Sequence, residues 1–127
     1  MSNELILVVE DDPASRKLLR DVLEFKGYRS QEVETAEEGL RLVGVNRPAL
    51  ILMDIQLPGM SGIDALKILR DAAETSDIPV IAVTASVMER QQSDLIAAGF
   101  DDLERKPISA ASLLGKMRKL LDRSKAP

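Results

Sequence analysis

The sequence predicts a doubly wound α/β fold: a five-stranded parallel sheet in the order 2-1-3-4-5, flanked by five helices. Strand-like and helix-like stretches alternate along 127 residues, a length that suits one core. Three of the strand-like stretches, at residues 5–9, 50–53 and 80–83, are apolar runs without polar alternation, the pattern of strands covered on both faces. The other two are short and polar, which suits sheet edges, where charge discourages pairing with another chain. Right-handed crossovers with the apolar runs at the centre give that strand order. Its winding reverses between the first and third strands, so a crevice opens at their carboxyl ends.

Each element has a local cause. The first run, Leu5 to Val9, ends in Glu10, Asp11 and Asp12, and Asp12 before Pro13 reads as an N-cap with proline at the first helical position. Leu18, Leu19, Val22, Leu23 and Phe25 recur at helical spacing until Gly27. Residues 30–34 form the polar second strand, and Thr35 with Glu38 makes a capping box that opens a helix ending near Asn46 and Pro48. Leu50 to Asp54 is the third strand, and Ile63, Leu66, Leu69, Ala72 and Ala73 carry the third helix. Val80 to Thr84 is the fourth strand, followed by a second capping box at Ser86 and Glu89. The helix it opens has a thin apolar face, with Gln91 and Gln92 where leucine would dock, and is predicted to be the least firmly held. Residues 101–106 give a short polar fifth strand. Ser109 caps a last helix with Leu113, Leu114, Met117, Leu120 and Leu121 on one face, and the tail from Ser124 is expected to fray.

Composition removes several classes of chemistry. Without cysteine or histidine there are no disulfides, no thiolate or imidazole metal ligands and no Ser/His or Cys/His nucleophile. A formal charge of −4 with no basic run, and aromatics limited to Phe25, Tyr28 and Phe100, argue against nucleic-acid and membrane partners. The polar start and the short apolar runs argue against a signal peptide or a membrane span. The expectation is a cytoplasmic location and one domain over residues 1–127, its core at about 4–123, with no output domain.

The remaining chemistry collects at the crevice. Glu10 and Asp11 end the first strand, Asp54 the third, Thr84 the fourth and Lys106 the fifth. Asp54 alone could cap the turn that follows it; the company it keeps favours chemistry. Carboxylates a few Å apart repel by about 4 kcal/mol per pair at an effective dielectric of about 20, so a cation must compensate. Few, hard oxygen ligands with room for water and phosphate oxygens suit Mg²⁺. A carboxylate nucleophile, a divalent cation, a hydroxyl and a lysine are the parts that hold an aspartyl phosphate.

The segments Val9-Glu10-Asp11-Asp12, Leu52 through Gly62, Val83-Thr84-Ala85 and Lys106-Pro107-Ile108, in this order and spacing, resemble the receiver domains of two-component response regulators. The resemblance implies the flavodoxin-like receiver fold, Asp54 as phosphoacceptor, and Mg²⁺ (or Mn²⁺) held by Asp11 directly, by Glu10 assisting, by Asp54 and by the Gln56 carbonyl. It implies Thr84 as the switch hydroxyl with Ala85 beside it, Lys106 as the phosphoryl partner, and a cis bond from Lys106 to Pro107. It also implies a sensor histidine kinase or histidine phosphotransfer protein as donor, docking on the first helix (Arg16, Lys17, Arg20) and the Pro107-Ile108 loop. Receivers usually carry an aromatic residue three places before the lysine. This chain has Leu103 there, followed by Glu104 and Arg105, and these are the expected output positions. Output is expected through a downstream protein or a phosphorelay, with a homodimer through the face of the fourth helix, fifth strand and fifth helix.

Two other functions fit parts of the pattern. A phosphatase or phosphotransferase could turn over small substrates through the same aspartyl intermediate, but enzymes resembling haloacid dehalogenases need a second Asp where this chain has Gln56. A flavodoxin-like cofactor binder would need a phosphate-cradling loop after the first strand, where three acids stand instead.

Overall fold

The computed structural model describes residues 4–85 and 89–125. Among them, strands and helices alternate as β1 (Leu5–Val9), α1 (Pro13–Phe25), β2 (Arg29–Val33), α2 (Ala36–Val45), β3 (Leu50–Asp54), α3 (Gly62–Asp71), β4 (Val80–Thr84), α4 (Glu89–Ala98), β5 (Asp102–Arg105) and α5 (Ala110–Lys125). The strands pair in parallel in the order β2-β1-β3-β4-β5, as the sequence predicts.

The central strands are apolar at every position because the two faces of the sheet need alternate residues. Leu7, Val9, Ile51, Met53, Val80 and Ala82 pack in one layer with Ala65, Leu66 and Leu69 of α3 and Leu95 of α4. Ile6, Val8, Leu50, Leu52, Ile81 and Val83 pack in the other with Leu19 and Leu23 of α1 and Leu113, Met117 and Leu120 of α5. Two apolar layers on one sheet hold its carboxyl edge rigid, and that edge carries the site.

Side-chain caps start the helices. Asp12 accepts the Ser15 N–H at 2.9 Å, Ser61 the Asp64 N–H at 3.1 Å and Ser109 the Ser112 N–H at 3.3 Å, each satisfying a donor the helix leaves open. Thr35 accepts the Glu38 N–H at 3.2 Å, and the return contact runs from its hydroxyl to the Glu38 carboxylate at 3.3 Å. The Ser86–Glu89 capping box lies outside the described residues.

Some boundaries differ from expectation. α3 stops at Asp71, with Ala72 as an extended C-cap and Ala73 beyond it. The Thr75 hydroxyl donates to the Leu69 carbonyl at 2.6 Å, taking an acceptor that a further helical turn would have used. β2 starts at Arg29, and β5 shortens to Asp102–Arg105. α5 continues to Lys125, into the stretch expected to fray, and residues 126 and 127 lie outside the description. In α4, Leu95 is the one described side chain that is buried, in keeping with its thin apolar face. The Lys106–Pro107 peptide is cis.

Candidate functional site

The carboxyl edge of the sheet brings the predicted residues together. β3 is buried along its whole length, so it carries the Asp54 side chain into a site where only 6% of the residue is exposed. A carboxylate so placed needs partners. One oxygen, Oδ1, accepts the Gln56 backbone N–H at 2.9 Å, and the other, Oδ2, lies 3.2 Å from Lys106 Nζ. Glu10, 1% exposed, follows β1 and places Oε1 2.6 Å from the same ammonium group, while its Oε2 accepts the Asp12 N–H at 3.1 Å. The Lys106 N–H donates to the Thr84 carbonyl at 2.8 Å, which fixes the root of the lysine beside β4.

One ammonium group therefore serves two buried carboxylates, and a third stands close by. Glu10, Asp11 and Asp54 each offer an oxygen within 4.8 Å of the others. Burial pushes the Glu10 carboxyl above its ordinary 4.5, and the neighbouring Asp54 adds to the rise. Lys106 and the Asp12 amide oppose it without reversing it. Burial works against the charge on Lys106, but its hydrogen bond to Glu10 and the charges of Asp54 and Glu10 outweigh that and hold its pKa above the ordinary 10.5. The set is rich in oxygen donors and short of positive charge, which fits a small hard cation. Thr84 supplies a second observation of fit: its hydroxyl is buried and has no hydrogen-bond partner among the described residues. Such a group is costly unless something accepts from it.

The loop after β3 holds this geometry by close approach. Gly59 takes φ +76° in the turn after Pro58, a conformation open to glycine at little cost. Gly62 starts α3 directly against β3: a Cβ there would stand 2.4 Å from the Asp54 carbonyl oxygen.

The expected output residues are spread over β5. Leu103 is half-buried against the α3–α4 layer, and Arg105 pairs in register with Thr84. Glu104 points the other way, to Ser112 and Lys116 of α5, each at 3.0 Å from its Oε1. Ala85 is exposed just beyond Thr84, and the Gln56 side chain is exposed as well.

Sequence reasoning missed three features. Arg16, read as part of a solvated or docking face, donates from Nη1 to the carbonyls of Glu10 at 3.0 Å and Asp11 at 3.1 Å. Its place one turn into α1 was the available signal, since helical side chains lean back toward the N-terminus. Lys116 and its bond to Glu104 had no signal, because the partners lie on different elements. Arg70 donates to the carbonyls of Gly99, Ser76 and Ile78 and to Asp101, tying the end of α3 to the starts of β4 and β5.

A parallel sheet in this order, with acids, a lysine and a buried hydroxyl at its switch point, defines a class of α/β domains that handle a charged group at the strand ends. The family model of the response regulator receiver domain matches residues 6–118, and the chain belongs to that family. The polar-differentiation response regulator DivK of Brucella anthropi is 39% identical over 116 residues, covering 91% of this chain and 94% of that protein. The Brucella ovis protein of the same name is 38% identical over the same span. A CheY-like receiver domain protein from Methanospirillum hungatei superposes with a TM-score of 0.86 at 31% identity, covering 95% of each chain. The receiver domain of a Pseudomonas aeruginosa sensor histidine kinase, solved with a magnesium ion coordinated in its active site cleft, superposes with a TM-score of 0.87 at 28% identity, covering 94% of this chain and 98% of that one. The chain is thus a two-component response regulator receiver domain that acts in phosphorelay signalling. None of its described helices is long and apolar enough to cross a membrane.

Proposed function

We propose that Asp54 accepts the phosphoryl group. An Asp54 carboxylate oxygen attacks phosphorus, the P–N bond to a donor imidazole breaks, and the imidazole leaves with the electron pair and takes up a proton. Attack by water later returns the carboxylate and inorganic phosphate. The sequence holds no histidine, so the donor imidazole comes from another source, a sensor histidine kinase or a histidine phosphotransfer protein. Docking on α1 and the Pro107-Ile108 loop fits the place where both approach the crevice edge.

The carrying observation is the convergence of Asp54 with Glu10 and Lys106 beside a buried Thr84 hydroxyl that has no partner among the described residues. Asp11, Glu10, Asp54 and the Gln56 carbonyl are the residues that would hold Mg²⁺ (or Mn²⁺), which when bound adds positive charge at the phosphoryl oxygens. Lys106 pairs with one phosphoryl oxygen, and Thr84, with the Ala85 backbone next to it, donates to another. The domain assists its own phosphorylation and dephosphorylation and acts on no small substrate: Gln56 stands where a turnover enzyme of this chemistry would need an acid. One receiver domain over about residues 4–123, working in the cytoplasm, passes the signal by protein contact or relay. Leu103, Glu104 and Arg105 are the output positions on β5, Glu104 through its inward bonds to α5, and a homodimer would form on the face of α4, β5 and α5.

Incubation with Mg²⁺ and acetyl phosphate, read by intact mass, tests this. One phosphoryl adduct is expected on the native chain and none on Asp54→Asn. An adduct that survives Asp54→Asn would overturn the assignment, and steady phosphate release at many turnovers per second would favour an enzyme.

A further inference from the structure

Asp11 differs from the other two acids of the site. Glu10 is restrained by Lys106 and the Asp12 N–H, and Asp54 by Lys106 and the Gln56 N–H. The Asp11 carboxylate is exposed and has no hydrogen bond or ion pair among the described residues. The backbone therefore sets the direction in which this side chain leaves the chain. Two side chains hold that backbone: Glu10 Oε2 accepts the Asp12 N–H at 3.1 Å, and Arg16, the one that reaches both carbonyls, has Nη1 3.0 Å from the Glu10 carbonyl and 3.1 Å from the Asp11 carbonyl. Two bonds to successive carbonyls fix the peptide planes on both sides of the Asp11 Cα, and with them the direction of its Cα–Cβ bond. Arg16 is itself anchored, 18% exposed and 3.3 Å from the Glu34 carboxylate just after β2.

We propose that Arg16 is a positioning residue for the acidic site, aiming the Asp11 carboxylate at the place shared with Glu10 and Asp54. The inference rests on the reading of these three acids as the cation site. A group that fixes a ligand without touching the metal commonly changes affinity by about 10- to 100-fold.

Position and charge predict opposite signs here. Deleting a guanidinium near three carboxylates, with geometry unchanged, tightens the binding of a divalent cation. Losing the aim of Asp11 weakens it. The test is titration of the full chain with Mn²⁺, free Mn²⁺ being read by electron paramagnetic resonance, with Mg²⁺ as competitor. Arg16→Ala should bind Mn²⁺ about tenfold more weakly than the native chain. Arg16→Lys, which reaches one carbonyl, should fall between them. Arg20→Ala, which removes the pair with Glu32 one turn further along α1, should match the native chain. Phosphorylation of Arg16→Ala by acetyl phosphate should be slow at limiting Mg²⁺ and recover at saturating Mg²⁺; a defect that persists at saturation would mean general damage and would overturn the proposal. Unchanged or tighter binding by Arg16→Ala would also overturn it. If that variant does not fold, Arg16→Lys decides, and affinity equal to the native chain's sinks the idea. A native chain that binds no Mn²⁺ refutes the cation site itself, an outcome separate from native binding with an indifferent Arg16.

Discussion

Glu10 and Glu104 are both buried glutamates near strand ends, and each meets a lysine, yet they sit in opposite electrostatic situations. Glu104 has Lys116 and the Ser112 hydroxyl to itself, both at 3.0 Å, and Lys116 spends another donor on the Leu103 carbonyl. Charge and hydrogen bonding close within that cluster, and it fastens β5 to α5. Glu10 shares Lys106 with Asp54, with Asp11 nearby, and its carboxyl is pushed upward by burial and by Asp54. Burial of a carboxylate is common to both. What separates the acidic edge from the structural clasp is the deficit of positive charge, together with a buried Thr84 hydroxyl that has no partner among the described residues.

The sharpest break in this comparison is between the two lysines. Lys106→Ala should slow phosphorylation by acetyl phosphate about 100-fold, in line with losing one well-placed electrostatic contact to a transferring group. Lys116→Ala should leave that rate within about twofold and lower stability instead. Equal rate losses in the two variants would erase the distinction. Next in size, Glu104→Ala strands Lys116 in a half-buried place and should cost about 2 kcal/mol in urea unfolding, with phosphorylation retained at saturating Mg²⁺. Ser112→Ala leaves the ion pair and removes one donor, so a loss of about 1 kcal/mol is expected in the same assay.

The smallest effect is a slope. Because the Glu10 pKa is raised in the folded state, the native protein keeps this proton where the unfolded chain has lost it. Stability should then fall as pH rises from about 4.5 toward the raised value. Glu10→Gln should flatten that segment of the curve, seen in denaturant midpoints from about pH 4 to about pH 7. Parallel curves for the two proteins would show that Glu10 does not titrate abnormally.

Much of this was legible in the sequence because it follows from local pattern. Apolar runs at 5–9, 50–53 and 80–83 gave the central strands, and their ends, with that of the polar fifth strand, placed Glu10, Asp54, Thr84 and Lys106 on one edge. Caps at Asp12, Thr35 and Ser109 depend on neighbours three residues away, whereas the equally local cap at Ser61 was not read. What else escaped depends on long side chains that reach backbone carbonyls or partners on other elements. Arg70 meets Gly99 and Asp101 some thirty positions on, and Arg16 finds two carbonyls that carry no sequence signal. The end of α3 escaped for a similar reason, since a threonine hydroxyl took the carbonyl that further helix would have claimed.

The contact between Gly62 and the Asp54 carbonyl oxygen also bears on how the site can evolve. Any side chain at 62 begins with a Cβ inside the backbone of β3, so that position is closed to drift. Six places earlier, Gln56 presents its side chain to solvent while its N–H holds Asp54, so residues of many kinds can be tried there with the backbone contact kept. The loop thus separates an immovable part from an adjustable one. A new side chain at position 56 therefore changes the mouth of the site while the backbone that holds Asp54 stays as it is.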